Sequence, residues 1–96
     1  MTGREALAAR WLELTRHVLP GMAAERRWPI RFDHCFMRVC LDNALGAAWH
    51  TRVRRPAIRH LSDDQLRDAI GWAERIVADH ALLPALNRRS LEWRRI

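Results

Sequence analysis

The sequence contains no lysine, only two cysteines and no apolar run longer than a few residues. A bilayer-spanning helix needs about 20 consecutive apolar residues, so we expect no membrane contact. Residues 1–7 lack the charged-then-apolar order of a signal peptide. Cys35 and Cys40 are too few for a disulfide framework and would point in different directions on one helix, which favours reduced thiols. These absences predict a soluble cytoplasmic protein.

The amino acids that are present predict one small folded domain. The chain has 96 residues, and 49% of them are hydrophobic. That fraction is too high for a disordered chain, and the length suits a single domain with a modest core. We therefore expect residues 1–96 to form one domain.

The positive charge is concentrated in the middle of the chain. The formal net charge is +6, and every basic residue contributing to it is arginine. Residues 1–25 and residues 62–96 each contain equal numbers of arginines and acids. Residues 26–61 contain eight arginines against only Asp33 and Asp42, so the whole excess lies there.

Apolar residues recur at helical spacing in four stretches, and no stretch alternates as a strand would. The predicted fold is therefore all-α, a small single-domain bundle of about four helices. The predicted helices span about residues 4–19, 34–45, 62–79 and 83–94. The pattern predicts Val77 on the buried face of the third helix and Leu91 on that of the fourth.

Boundary residues support these helices. Pro20-Gly21 is expected to end the first helix, Asp33 to cap the second, and Gly46 to stop it. Ser62 and Gln65 have the spacing of a capping box at the start of the third helix. Between the second and third helices, Arg55-Pro56 interrupts any helix, and short helical turns are expected on either side of the proline.

Polar residues form a narrow stripe on the second predicted helix, which is otherwise apolar nearly all round. His34, Arg38 and Asp42 follow each other at intervals of four, so Arg38 could bridge to Asp42. Together with Asp33 and Cys35 they form a candidate polar site for a ligand or a substrate. The alternative is that the stripe meets solvent or makes a satisfied polar contact inside the bundle. A Cys–His nucleophile is disfavoured because adjacent helical residues diverge by about 100°.

A second candidate site is the arginine cluster that follows this helix. Arginine binds phosphate through its planar fork, and a nearby tryptophan can stack on bases. The anion-binding candidates are Arg52, Arg54, Arg55, Arg59 and Trp49, with Arg26, Arg27, Arg31 and Trp28 as further members. The alternative is that the arginines reflect composition alone and that the tryptophans are core residues. The sequence shows no pattern of a zinc finger, a recognition helix or an RNA-recognition motif.

No cofactor or metal site is expected from the sequence. The five histidines are scattered, and no pair has the short spacing of zinc ligands. Trp72 lies off the apolar face of its helix, and Trp93 lies near the chain end. Either could mark a homodimer contact or a protein partner, which makes an accessory subunit a third hypothesis.

Several segments resemble a group of small uncharacterised bacterial proteins that are often labelled N-acetyltransferase-related. These segments are residues 28–39 (WPIRFDHCFMRV), 41–43 (LDN), Trp49, 55–57 (RPA) and 86–94 (LNRRSLEWR). An acetyltransferase fold needs a mixed sheet and a glycine-containing pyrophosphate loop. The glycines at positions 3, 21, 46 and 71 form no such loop. We therefore do not expect acetyl transfer.

The favoured hypothesis is a small basic helical binding module that contacts nucleic acid or another anionic partner. The alternatives are an enzyme or ligand-binding protein built on the polar stripe, and the accessory subunit. Whether the protein is an enzyme stays open from the sequence. The charge excess and the polar stripe occupy the same stretch of chain, so both main hypotheses place function in residues 26–61.

Overall fold

The computed structural model describes residues 2–95 and confirms an all-α fold, with no strand in that range. The first three helical elements join into one continuous rod, the first helical rod, which packs with three further long helices. A short helix lies between the second and the third of these four units. The elements are α1 (Gly3–Glu13), the π segment (Leu14–Val18), α2 (Leu19–Glu25), α3 (Asp33–Leu45), a 3-10 turn (Trp49–Thr51), α4 (Ala57–His60), α5 (Asp63–Ala78) and α6 (Leu82–Trp93). Between residues 2 and 95, no helix is long and apolar enough to span a bilayer.

The first helical rod continues past Pro20, so the predicted end at Pro20-Gly21 is wrong. The backbone N–H of Leu19 donates to the carbonyl of Leu14, five residues earlier, instead of four. This wider π turn comes immediately before Pro20, which then occupies the first turn of α2. The extra residue of the π turn lets the rod accommodate this proline, whose ring in a regular α-helix would clash with the carbonyl four residues earlier. Helical structure therefore extends to Glu25.

Helix α3 is the centre of the bundle and packs against α5 and α6. Phe36, Val39 and Cys40 on α3 are fully buried. Gly46 has φ +69°, a left-handed conformation that favours glycine, and it ends the helix as predicted. The predicted cap at Asp33 is wrong by one residue. Phe32 is the N-cap and its side chain makes no capping bond, while Asp33 is the first helical residue.

Helix α5 begins with the predicted capping box. The Ser62 hydroxyl accepts from the Gln65 backbone N–H at 3.0 Å, and the Gln65 side chain accepts from the Ser62 N–H at 2.8 Å. The apolar faces of α5 and α6 differ slightly from the predicted ones. Val77 is 37% exposed and Leu91 is 47% exposed, whereas Leu83 on α6 is fully buried.

The segment between α3 and α5 is irregular, as predicted, with the 3-10 turn and α4 on either side of Pro56. Val53 and Leu61 are buried and hold this segment against the bundle. Its arginines remain on the outside, because the two apolar anchors fix which side of the segment faces the core. The segment lies beside α3 and forms one wall of the candidate site.

Candidate anion-binding cleft

A cleft of about 400 Å³ lies between the first helical rod, α3 and the segment that contains the 3-10 turn and α4. Its volume falls in the lower part of the range of roughly 300–1,000 Å³ that is typical of ligand pockets. Its lining combines basic and apolar side chains and contains no acid. The lining residues are Trp11, Leu12, Arg16, His34, Met37, Arg38, Leu41, Trp49, Arg55, Pro56, Ala57 and Ile58.

The cleft brings together members of both candidate sites. His34 and Arg38 come from the polar stripe of α3, and Trp49 and Arg55 come from the arginine cluster. Arg16, which the sequence analysis did not single out, comes from the π segment. Three arginines therefore converge on one concave surface. π-helical turns are frequent at functional sites, and Arg16 shows one carrying a side chain into the cleft.

Arg38 is fixed in the cleft by two neutral oxygens on α6. Its Nη1 donates to the Ser90 hydroxyl at 2.7 Å, and its Nη2 donates to the Asn87 side-chain oxygen at 2.7 Å. Within residues 2–95, no carboxylate oxygen lies within 4.0 Å of its guanidinium. The side chain is therefore oriented, but its positive charge is not neutralised by a salt bridge.

The environment of Arg38 disfavours its charge only partly. Burial lowers the pKa of the guanidinium, and the charge of Arg94 lowers it further, while Cys35 and Asp42 oppose these effects. Arginine stays protonated in proteins even when its pKa is lowered. Arg38 therefore presents a half-buried cation to any ligand in the cleft.

Asp42 does not pair with Arg38, so the predicted bridge along α3 is wrong. Asp42 is fully buried and receives two hydrogen bonds from Arg94, with distances of 2.8 and 3.0 Å. The Ser90 hydroxyl donates to it at 2.6 Å, and the Trp49 backbone N–H donates at 2.8 Å. These donors occupy both carboxylate oxygens, which leaves no room for a direct bond from Arg38. Asp42 is a satisfied polar contact inside the bundle.

The hydrogen bonds of Asp42 place two parts of the cleft. One bond fixes the backbone of Trp49 at the start of the 3-10 turn, and another fixes Ser90, which in turn accepts from Arg38. Buried networks in which every group is satisfied rigidify their surroundings. Asp42 is therefore a positioning residue for the cleft rather than part of its lining.

Trp49 and Arg55 are in contact with each other in the cleft wall. The Arg55 guanidinium lies 5.2 Å from the centre of the Trp49 ring, within the range of a cation–π interaction. The Trp49 ring is half-buried and packs partly against the core, whereas Arg55 is exposed. The pair therefore presents a flat aromatic surface that is covered by an exposed guanidinium.

The five candidates of the polar site do not all converge. Only His34 and Arg38 line the cleft, while Asp33, Cys35 and Asp42 do not. Asp33 lies beside His34, with its Oδ1 3.4 Å from the His34 Nδ1. The placement of these side chains gives no arrangement of a nucleophile with a base.

An exposed aromatic pair lies next to the cleft and was missed in the sequence analysis. Phe32 is 64% exposed, and its ring stacks on His34 with ring centres 5.8 Å apart and an angle of 4° between the planes. His34 lines the cleft, so the pair lies at its rim. No clear sequence signal marks this pair, because Phe32 is followed by the apolar residues Cys35 and Phe36 at helical spacing and therefore resembles a core residue.

The arginines of residues 26–61 carry uncompensated charge. In the described part of the chain, the arginines that form salt bridges are Arg4, Arg10, Arg67 and Arg94, all outside this stretch. The exposed members of the cluster are Arg27, Arg31, Arg52, Arg54, Arg55 and Arg59. Among residues 2–95, the charge excess of the sequence is therefore also a charge without salt-bridge partners.

The other tryptophans have different surroundings. Trp28 packs edge-on against Phe36 at 5.7 Å, which makes it a packing residue. Trp72 lies under Arg75 at 4.5 Å, and Trp93 lies under Arg89 at 5.3 Å. A partner at Trp72 or Trp93 stays a prediction. From Thr2 to Arg95, no three His, Cys, Asp or Glu side chains are grouped so that they could hold a metal ion.

Comparison with family models, curated proteins and solved structures found no match to this chain. The geometry and charge of the cleft are therefore the grounds for assigning a function.

Proposed function

We propose that this protein is a binding module that contacts nucleic acid through the cleft and the exposed arginines around it. The observation that carries the proposal is the meeting of Arg38, Trp49 and Arg55 in one cleft that is free of acids. Arginine forks bind phosphate oxygens in pairs, and tryptophan stacks on bases. Members of the polar stripe and of the arginine cluster thus line one cleft, and nucleic acid matches its charge and its aromatic surface. We further propose a cytoplasmic location, which gives access to such a partner.

The uncompensated charge supports the same proposal. A salt-bridged arginine must lose its internal partner before it binds a phosphate, whereas the arginines of residues 26–61 have no such partner within the described residues. Binding to a polyanion also releases condensed counterions, which makes affinity strongly dependent on salt. A free basic surface is the arrangement that benefits from this effect.

The test compares two variants with the same change in net charge. The first replaces Arg52, Arg54, Arg55 and Arg59 with glutamine. The matched control replaces the exposed Arg67, Arg75, Arg88 and Arg89, which lie outside the basic stretch. Fluorescence anisotropy of labelled oligonucleotides is measured between about 50 and about 200 mM salt.

We expect the first variant to lose most of its affinity and the control to keep most of it. For a single strand, each lost phosphate contact lowers the slope of log K against log salt by about 0.7, so four lost contacts lower it by about 3. Absence of binding by the unmodified protein at low salt would refute the proposal. Equal losses in the two variants would also refute it, because they would show an effect of net charge alone.

A ligand-binding protein for a small organic anion is the second candidate, and the volume of the cleft favours it. In that case a compound with one carboxylate or phosphate would bind saturably with a weak dependence on salt. Oligonucleotides of increasing length would then bind no better than the small anion. Length dependence in the same titration separates the two functions.

A further inference from the structure

We infer that the cleft accepts a single unpaired nucleotide, with its phosphate at the arginines and its base against Trp49. This inference rests on the proposed function and specifies which form of nucleic acid is bound. It predicts a preference for single strands over duplexes.

Stacking on Trp49 requires an unpaired base. A base in a duplex is covered on both faces by its neighbours, so its ring cannot stack on a protein side chain. A half-open cleft of about 400 Å³ between three chain segments has room for one flat ring and its sugar phosphate. The base must therefore leave its helix, or belong to a single strand, before it enters.

The charges divide the cleft into two parts. Arg16, Arg38 and Arg55 supply positive charge, and no aspartate or glutamate lines the cleft. Arg38 has only two of its N–H groups bonded to protein acceptors among the described residues, so further N–H groups remain for phosphate oxygens. The remaining lining is mostly apolar and suits a base and a sugar. Its apolar members include Leu12, Met37, Leu41, Pro56 and Ile58.

Arg55 links the two parts. Its guanidinium lies over the Trp49 ring, where it occupies the stacking surface. An entering base takes this position on the indole, and the exposed arginine turns toward the phosphate of the same nucleotide. One cation–π contact is thus exchanged for a base stack and a charge-assisted hydrogen bond.

The aromatic pair at the rim favours a strand rather than a free nucleotide. Phe32 is one of the large apolar side chains with high exposure, and its ring is already held parallel to His34. A second base can stack on Phe32 while the first lies in the cleft. Stacking on a protein aromatic does not depend on base identity, so we expect little sequence preference.

The experiment measures affinities for a single-stranded octanucleotide, the same sequence paired in a blunt hairpin whose loop is a non-nucleotide linker, a nucleoside monophosphate, the matching nucleoside and inorganic phosphate. We expect the single strand to bind at least about tenfold more tightly than the hairpin, because one base stack contributes about this factor. The monophosphate should bind more tightly than either the nucleoside or phosphate. Its binding should change the tryptophan fluorescence, and Trp49→Phe should alter that signal.

The variants pair each cleft residue with a control in similar surroundings. Arg55→Gln is compared with Arg75→Gln, which also removes an exposed guanidinium from a tryptophan ring. We expect Arg55→Gln to weaken the affinity for the single strand about tenfold and Arg75→Gln to change this affinity less than twofold. Phe32→Ala removes an exposed side chain without opening the core. It should weaken the binding of the octanucleotide several-fold, and by a larger factor than the binding of the monophosphate.

Each outcome tests either this inference or the proposed function. Equal affinity for single strand and hairpin, or equal effects of Arg55→Gln and Arg75→Gln, would overturn the inference while the proposed function stands. Phosphate binding as tight as that of the monophosphate would also overturn it, because no base would be recognised. Absence of binding to both oligonucleotides at low salt would overturn the proposed function itself.

Discussion

Asp42 and Arg38 lie one turn apart on α3, yet they are joined through Ser90 on α6 rather than directly. The Ser90 hydroxyl donates to Asp42 at 2.6 Å and accepts from Arg38 at 2.7 Å. One hydroxyl therefore uses its donor and an acceptor site to connect the buried carboxylate with the cation in the cleft. The orientation of Arg38 depends on a helix that contributes no residue to the cleft lining.

Ser90→Ala tests this connection. The change leaves an oxygen of the buried Asp42 with one donor fewer and removes an acceptor from Arg38, so we expect a loss of about 1–3 kcal/mol in the free energy of unfolding. Urea denaturation measures it. Thr15→Val is the control, because that buried hydroxyl bonds only to the Trp11 carbonyl of its own helical rod. Equal stability of Ser90→Ala and the parent would show that the link is weak.

Asp42→Asn tests the buried ion pair with Arg94, and Asp63→Asn tests an exposed ion pair for comparison. The amide leaves the Arg94 charge without a carboxylate, and breaking a buried pair costs about 3–5 kcal/mol. Arg94 is 27% exposed, which reduces the expected loss to about 2–4 kcal/mol. Asp63→Asn removes the exposed partner of Arg4 and should cost less than about 1 kcal/mol. Similar losses in the two variants, measured by denaturation, would contradict this difference.

The two cysteines should differ sharply in reactivity. Burial raises the pKa of the Cys40 thiol to about 12, whereas Cys35 is only half-buried. At pH 8, a chromogenic disulfide reagent should detect one reactive thiol in the folded protein and two in the unfolded protein. Cys35→Ser should abolish the reaction of the folded protein. Reaction of the folded Cys35→Ser variant would show that Cys40 is accessible.

The same raised pKa predicts how stability changes in alkali. Above the ordinary value of 9.0, unfolded chains lose the Cys40 proton while folded chains keep it until about 12. The protonated Cys40 thiol therefore makes its full contribution to the free energy of unfolding below pH 9. This contribution is lost as pH rises toward 12, and the free energy of unfolding falls with a slope approaching about 1.4 kcal/mol per pH unit. The chain has no lysine or tyrosine to mask this range. Cys40→Ala should flatten the slope, and Cys35→Ala should keep it.

Pro20 and the π segment should be energetically coupled. Deletion of the exposed His17 removes the extra residue of the π turn and would place Pro20 inside a regular α-helix. A proline there costs about 3 kcal/mol, through a clash and a lost hydrogen bond. We expect the deletion to destabilise the parent by this amount and a Pro20→Ala background by much less. Additive effects in the double-mutant cycle would refute the coupling.

Features set by neighbouring residues could be predicted from the sequence. The Ser62–Gln65 box and the glycine at position 46 act within one helical turn, so the local chain determines them. The four long helical units follow from apolar spacing for the same reason. The end at Pro20 was predicted wrongly because a π turn depends on the packing of Leu14 and Leu19, both fully buried.

The interior of the candidate site depends on contacts that are distant in sequence. The spacing of Arg38 and Asp42 favours a bridge, but Ser90, Asn87 and Arg94 supply better partners from some 50 residues away. No periodicity on α3 carries this information. Charge indicated residues 26–61 as the candidate region, and most of the cleft lining comes from it, whereas the contributions of Trp11, Leu12 and Arg16 depend on the path of the first helical rod.

The anchoring of Arg38 also affects the thermodynamics of recognition. A free arginine side chain carries about 2 kcal/mol of rotamer entropy, and most of it is normally lost when a ligand immobilises the side chain. Ser90 and Asn87 impose that ordering during folding, and neither cancels the charge. A phosphate that reaches Arg38 therefore meets a guanidinium that is already oriented. Its association should show a smaller entropic penalty than association with the exposed Arg52 or Arg54, which have no comparable anchoring bonds among the described residues.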